Sequence, residues 1–236
     1  MYTWKTKVRY SECGSKGTLT LAKIIDYFQD SSSAHSEELG AGMKFLEEQG
    51  GAWVLNSWQL EVNRYPDIME EIELNTWPSD FKGVFGPRSF CMKGKNGEIL
   101  ALARTLWVYI DVKTGRPAKP SEELIQKYEI EPAIEMEEVS RKIQIPKEME
   151  AIDYITVRKY HIDTNQHVNN SQYVQMALET FPQSFSAKKL RVEYKKAAVF
   201  GDRIYIKKAV EAERTVVALC DERDEIYAVV EFRGEQ

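Results

Sequence analysis

Leu60-Glu-Val-Asn-Arg-Tyr-Pro-Asp-Ile-Met-Glu-Glu-Ile-Glu-Leu74 lies without a gap on Val192-Glu-Tyr-Lys-Lys-Ala-Ala-Val-Phe-Gly-Asp-Arg-Ile-Tyr-Ile206. Each stretch reads as a strand, a turn at Pro66-Asp67 or Gly201-Asp202, and a second strand. Self-similarity of this kind marks a duplicated structural unit. The correspondence extends outward in both directions. Lys95-Asn-Gly-Glu-Ile99 falls on Arg223-Asp-Glu-Ile226, and Asn96-Gly97 predicts a two-residue hairpin turn in which both central residues take positive φ. Upstream, Val8-Arg9-Tyr10 precedes one helical pattern and Val157-Arg-Lys-Tyr160 precedes another.

The first helical pattern places Leu21, Ile24, Ile25 and Phe28 at i, i+3, i+4, i+7, with Thr18 or Thr20 as its cap. The second places Val174, Ala177, Leu178 and Phe181 at the same spacing, with Asn169, Asn170 or Ser171 as cap. Each half therefore reads as a strand, one helix, and four or five antiparallel strands. This is an α+β chain, a tandem or double hot-dog in which each half wraps an antiparallel sheet around one apolar helix. The two sheets are expected to pair edge to edge, which hides edges prone to aggregation. The boundaries expected are 1–120 for the N-terminal hot-dog, 121–146 for a linker and 147–236 for the C-terminal hot-dog. Pro117, Pro120, Pro132 and Pro146 punctuate the glutamate-rich linker, which reads as exposed with one short helix around Glu122–Tyr128.

At 236 residues and 43% hydrophobic, the chain can bury one large core or two smaller ones. A net charge of −5 argues against a nucleic-acid partner. No run approaches the roughly 18 apolar residues of a spanning helix, so no membrane insertion is expected. The N-terminus starts in strand-like sequence without a signal-peptide apolar region, and Cys13, Cys91 and Cys220 form no framework. A reducing, cytoplasmic location is the expectation. No His, Cys and Asp spacing suggests a metal, and no cofactor is expected. Lys and Arg balance Asp and Glu, 13 against 13, over residues 151–236, so the net charge belongs to residues 1–150. Lys188, Lys189, Arg191, Lys195, Lys196, Arg203, Lys207 and Lys208 nevertheless cluster with only Glu193 and Asp202 among them. That strip is either a solvated strand face or a landing patch for an acidic macromolecule or phosphate-bearing ligand.

Three histidines narrow the search for chemistry. His35, among Ser31-Ser-Ser and Glu37-Glu38, reads as a surface residue, and His161 beside Tyr160 reads as structural. His167 stands in Asp163-Thr-Asn165-Gln-His167-Val-Asn-Asn170, immediately before the second helix. A helix start offers unsatisfied N–H groups and a positive dipole end, which suit a developing oxyanion. Asn165 can position substrate or water, and Asp163 can orient its neighbours or act as a base. The corresponding place in the first half, Cys13-Gly-Ser-Lys-Gly17, has neither Asn nor His. One half is equipped for chemistry and the other is emptied of it.

Taken in order, these segments resemble the acyl-ACP thioesterase family. Asp163-x-Asn165-x-His167-Val-Asn-Asn170-x-x-Tyr173 matches its signature, as do Trp53-Val54, Val62-x-Arg64-Tyr65-Pro66, Thr76-Trp77, Arg104-Thr-x-Trp107 with Asp111, and Thr114-Gly-Arg-Pro117. The resemblance implies hydrolysis of a fatty acyl thioester on acyl carrier protein, with Asp163, Asn165 and His167 as catalytic residues. It implies that the first half holds the acyl chain, with pocket depth set by residues such as Ile24, Phe28, Met43 and Trp53. A double hot-dog of this kind works alone or as a homodimer. The family carries a glutamate after a segment like Glu193-Tyr-Lys-Lys196, where this chain has Ala197-Ala198. The resemblance also admits an acyl-CoA thioesterase of the same fold, which the basic strip would serve equally, and the missing glutamate admits an acyl-binding module with weakened catalysis. A hot-dog dehydratase fits less well, because the first half lacks the carboxylate in place.

Overall fold

Period-two alternation in Tyr2–Lys7 makes the first strand, β1, with every second side chain turned inward. In the structure, a computed structural model that describes residues 1–235, the chain divides into two units. The first comprises residues Met1–Asn56 and Val62–Glu137. After β1 it holds a 3₁₀ turn at Tyr10–Glu12, α1 (Leu21–Glu38), α2 (Met43–Glu48), β2 (Gly51–Val62), β3 (Glu71–Pro78), β4 (Phe85–Gly94), β5 (Ile99–Asp111), β6 (Arg116–Pro117) and α3 (Glu122–Gln126). Its strands run in the order β1-β3-β4-β5-β2, with β6 against β5.

The second unit holds residues 57–61 and those from Glu138 onward. It runs β7 (Glu150–Thr156), a 3₁₀ turn at Lys159–His161, α4 (Asn170–Leu178), β8 (Ser186–Tyr194), β9 (Arg203–Val210), β10 (Thr215–Cys220) and β11 (Ile226–Glu235). Its order is β8-β11-β10-β9-β7. Residues Ser57–Glu61 of β2 pair antiparallel with β8, from Ser57 opposite Glu193 to Glu61 opposite Lys189, so the β8 edge is taken up by a paired strand. Strand for strand, this order repeats that of the first unit. Among the described residues, no helix is long and apolar enough to cross a membrane.

The helix α1 buries Leu21, Ile24, Ile25 and Phe28, and Phe28 meets Phe90 of β4 with ring centroids 5.1 Å apart. Burial of each such side chain stabilises the fold by about 1.5–3 kcal/mol. Of the two candidate caps, Thr20 caps α1, its hydroxyl accepting from Lys23 N; Asn169 caps α4, its carbonyl accepting from Ser171 N at 3.0 Å. The α4 helix ends at Leu178, short of the expected Phe181, whose ring leaves the helix to stack on Phe185 at 4.1 Å.

Two local expectations need correction. The β4–β5 turn has positive φ at Gly97 (82°) but not at Asn96, and the pair shifts register between Met92 and Lys93. It is a bulged turn in which one left-handed residue suffices. Asp224 (φ 62°) repeats it between β10 and β11, with a register shift between Leu219 and Cys220. The linker, expected to be exposed, carries the short helix as predicted but is pinned at several points. Leu124, Tyr128 and Ile143 are buried; Trp77 Nε1 donates to Pro132 O, Arg104 Nε to Ile134 O, and Ile143 N to Glu193 Oε2.

Candidate active site

The segment from Ile162 to Asn169 forms a tight loop between the 3₁₀ turn and α4. Ile162 and Val168 bridge across its base, and Asp163 N donates to His167 O at 2.8 Å. Closing this loop needs a left-handed residue, and Gln166 takes it at φ 62°. A non-glycine residue in that conformation costs roughly 1 kcal/mol or more. The Asp163 carboxylate offsets this, since Oδ1 accepts both Asn165 N (2.8 Å) and His167 N (3.3 Å). Asp163 is thus the organiser of the loop: its carboxylate faces the loop's own N–H groups. The Asn165 and His167 side chains are exposed, and neither has a hydrogen-bonding partner among the described residues. An amide and an imidazole are presented together at the start of α4.

A second segment is fastened to this loop. Val168 N donates to Ala198 O at 2.9 Å, and Ala198 N donates to the Tyr173 hydroxyl of α4 at 2.8 Å. Burial raises the Tyr173 pKa to about 12, so the hydroxyl stays protonated. In the sequence Tyr173 shows only as part of the signature pattern; a tyrosine one turn inside the helix that follows the candidate loop is the signal for a clamp. Ala198 is buried and Ala197 is exposed beside it. Contrary to the strand alternation expected through this region, β8 ends at Tyr194: Lys195 N and Lys196 N both donate to Tyr227 O, and beyond them the Ala198 N–H goes to a side chain. Glu193, the nearest upstream carboxylate, is engaged elsewhere: Oε2 accepts Ile143 N and Oε1 lies 3.4 Å from Lys195.

His161 is buried and structural as expected. Its Nδ1 accepts Arg158 N at 3.0 Å, and burial followed by the Arg158 charge lowers its pKa, keeping the ring neutral. His35 is not on the surface. It is 7% exposed, stacks on Tyr2, and its Nδ1 lies 3.1 Å from Arg88 Nη1. Burial, then the Arg88 charge, lowers its pKa to about 4. Of the residues expected to line an acyl pocket, Ile24 and Phe28 are fully buried on α1. Trp53 packs its ring edge-on to Tyr109 at 5.1 Å, within a cluster that includes Phe81 and Tyr128. Met43, at 65% exposure, is outside the buried surface.

The basic strip is largely neutralised. Lys189 pairs with Glu61, Lys195 with Glu193, Lys196 with Asp221 and Glu225, Lys207 with Asp224, and Arg191 with Glu231. Lys208 donates to Thr180 O, and Arg203 lies over the Tyr154 ring. Lys188 alone of the eight is exposed without a partner among the described residues. Most of the strip is a paired strand surface.

Comparison with known proteins bears on the family and the fold. Residues 1–128 match the profile of the acyl-ACP thioesterase N-terminal domain, and residues 144–230 that of the C-terminal domain. A chloroplastic acyl-[acyl-carrier-protein] hydrolase of Cuphea viscosissima is 29% identical over 191 residues, covering 74% of this chain and 45% of its own length. The chloroplastic oleoyl-acyl carrier protein thioesterase 1 of Arabidopsis thaliana is 28% identical over 199 residues, with 77% and 55% covered. The chain spans about half the length of the curated relatives it matches. Among solved structures, an acyl-ACP thioesterase from Bacteroides thetaiotaomicron superposes with TM-score 0.91 at 22% identity, covering 99% and 97% of the two chains. A 12:0-ACP thioesterase from Umbellularia californica gives 0.88 at 20%, covering 99% and 96%. These likenesses establish the double hot-dog fold.

Proposed function

The chain belongs to the acyl-ACP thioesterase family, and from that premise we propose that it hydrolyses the thioester of a fatty acyl chain carried on acyl carrier protein. The observation that carries this reading is the pairing of exposed Asn165 and His167 on a loop held by Asp163 at the start of α4. The Asn165 amide positions water or the thioester carbonyl. His167 removes a proton from the attacking water, whose oxygen bonds to the carbonyl carbon. The α4 start faces the oxyanion, and collapse breaks the C–S bond, the leaving thiolate taking from His167 the proton that came from water. A thioester is an activated acyl group, so one base and a positioned water suffice without a covalent enzyme intermediate. The buried side of the first unit, with Ile24, Phe28 and Trp53, is the proposed seat of the acyl chain. Three unpaired cysteines support a reducing compartment such as the cytoplasm.

Ala197 favours a second reading, an acyl-binding protein with slow turnover, because the family's carboxylate is missing beside the loop. Steady-state hydrolysis of acyl-ACP, measured against acyl-CoA and against buffer, separates the readings. Turnover on acyl-ACP well above the other two supports the first; binding without turnover above buffer supports the second.

A further inference from the structure

The first unit buries a charge that nothing in the proposed chemistry uses. Arg88 of β4 is 7% exposed. Its Nη1 donates to His35 Nδ1 at 3.1 Å and to Thr76 Oγ1 at 3.2 Å, and its guanidinium lies over the Tyr128 ring, 5.6 Å from the centroid. Each of these partners is neutral. His35 keeps its acceptor nitrogen unprotonated, and Thr76 passes its own proton to Ser89 O. No carboxylate acts on the guanidinium, and among the described residues its protein acceptors are reached by Nη1 alone. Buried cations are ordinarily paired with an anion, because desolvating an unpaired charge is costly.

The surroundings say what kind of anion fits. Arg88 stands two residues before Phe90, on the same face of β4, and His35 stands two helical turns beyond Phe28 on α1. Phe28 and Phe90 touch. The apolar packing of helix and sheet, with Phe28 and Phe90 both fully buried, therefore ends at a guanidinium with unused donors. An amphiphile with an apolar chain and an anionic end matches that sequence of surfaces, and a guanidinium grips a carboxylate through two parallel N–H donors.

We propose that Arg88, held by His35 and Thr76, is an anion-receiving site inside the first unit, and that its ligand is a carboxylate at the distal end of an acyl chain. The proposal rests on the reading of this unit as the holder of the acyl chain, and its test is a binding measurement that needs no turnover. Two acyl-pantetheine amides of equal length, one ending in methyl and the other in carboxylate, are titrated into the full chain by calorimetry. The carboxylate-ended ligand is expected to bind about 10-fold more tightly or better. Arg88→Met should reverse that preference, and Arg88→Lys should keep part of it through charge without the bidentate grip. Equal affinity for the two ligands in the wild-type chain overturns the proposal, whether or not a variant folds. So does a preference that survives Arg88→Met. Tight binding of inorganic sulfate, displacing neither ligand, assigns Arg88 to small anions and overturns the acyl assignment. Hydrolysis of a methyl-ended acyl-ACP, measured separately, reports on the proposed activity alone.

Discussion

The loop before α1 and the loop before α4 have the same backbone and different chemistry. Cys13 bridges Leu19 as Ile162 bridges Val168. Gly14 N donates to Thr18 O at 2.9 Å, as Asp163 N does to His167 O at 2.8 Å; Leu19 N reaches Pro66 O at 2.8 Å, as Val168 N reaches Ala198 O at 2.9 Å. Gly17 (φ 73°) takes the left-handed place that Gln166 takes in the second loop. Glu12 accepts Arg9 N as His161 accepts Arg158 N. What differs is what hangs on this frame: Gly14 against Asp163, Lys16 against Asn165, Thr18 against His167, and Tyr65 against Ala197. The comparison teaches that scaffold and chemistry are separable here. The frame depends on backbone bonds and one left-handed residue, whereas the proposed chemistry depends on two side chains that face solvent, Asn165 and His167. The first loop reaches its shape with glycines, and the second does so with a carboxylate that binds its own N–H groups.

If that separation is right, His167→Ala should cut kcat for acyl-ACP by about 10²–10⁴ with the fold intact. Thr18→Ala, the matching change in the first loop, should leave the rate within twofold. An unimpaired rate in folded His167→Ala protein would break the functional half of the comparison. The next largest effect is a gain. Ala197→Glu restores a carboxylate beside the loop and should raise kcat by about 10²-fold, adding an acidic limb to the pH–rate profile. Tyr65→Glu, its counterpart, should add no activity. A flat rate for Ala197→Glu means that the chemistry does not pass through that position.

The repeat was legible because each unit spends its residues on the same backbone bonds, and those leave a pattern in turns, caps and helical spacing. The candidate loop stands out for the same reason: its counterpart shows what a bare frame looks like. Three features were not legible. The polar neighbours of His35 point to the surface, although the spacing Phe28, Ser32, His35 continues the buried face of α1. Arg88 does not show in the sequence, because a buried cation without an acid leaves no charge pattern along the chain. The sequence before Gly201 reads as strand through Ala197, but the ladder breaks where Lys195 N and Lys196 N share Tyr227 O, and Ala198 N turns to Tyr173.

Asp163 sharpens the comparison at an intermediate scale. Its carboxylate is worth two hydrogen bonds to charge, about 1.5–3 kcal/mol each at most, against a loop that already pays for Gln166. Asp163→Ala should lower kcat about 10-fold or more by loosening Asn165 and His167. Asp163→Asn keeps an acceptor oxygen and should recover much of that loss. Gln166→Gly, borrowing the device of the first loop, should partly rescue Asp163→Ala. Equal losses for Asp163→Ala and Asp163→Asn, without rescue, would instead mark Asp163 as a base.

The smallest effect expected concerns the residue that holds each 3₁₀ turn, Glu12 in the first unit and His161 in the second. Both accept the backbone N–H three residues before them. The histidine does so only when neutral, and burial together with Arg158 lowers its pKa in the folded chain. In the unfolded chain it protonates near the ordinary imidazole value of about 6.5. Below that pH the unfolded state binds the extra proton, so this contribution to stability is present at neutral pH. It is lost as pH falls from about 6.5 toward the lowered folded value. A carboxylate in the same place remains an acceptor through that window. His161→Glu, the transplant of Glu12 into the second unit, should therefore remove part of the stability loss between about pH 6.5 and pH 5. His35, also buried neutral, supplies a second and independent part of that loss, and it stays in the variant. Denaturant midpoints of wild type and His161→Glu measured across that range should converge on the alkaline side and separate on the acidic side. Parallel curves would mean that His161 titrates alike in both states and that its hold on Arg158 N carries no pH dependence.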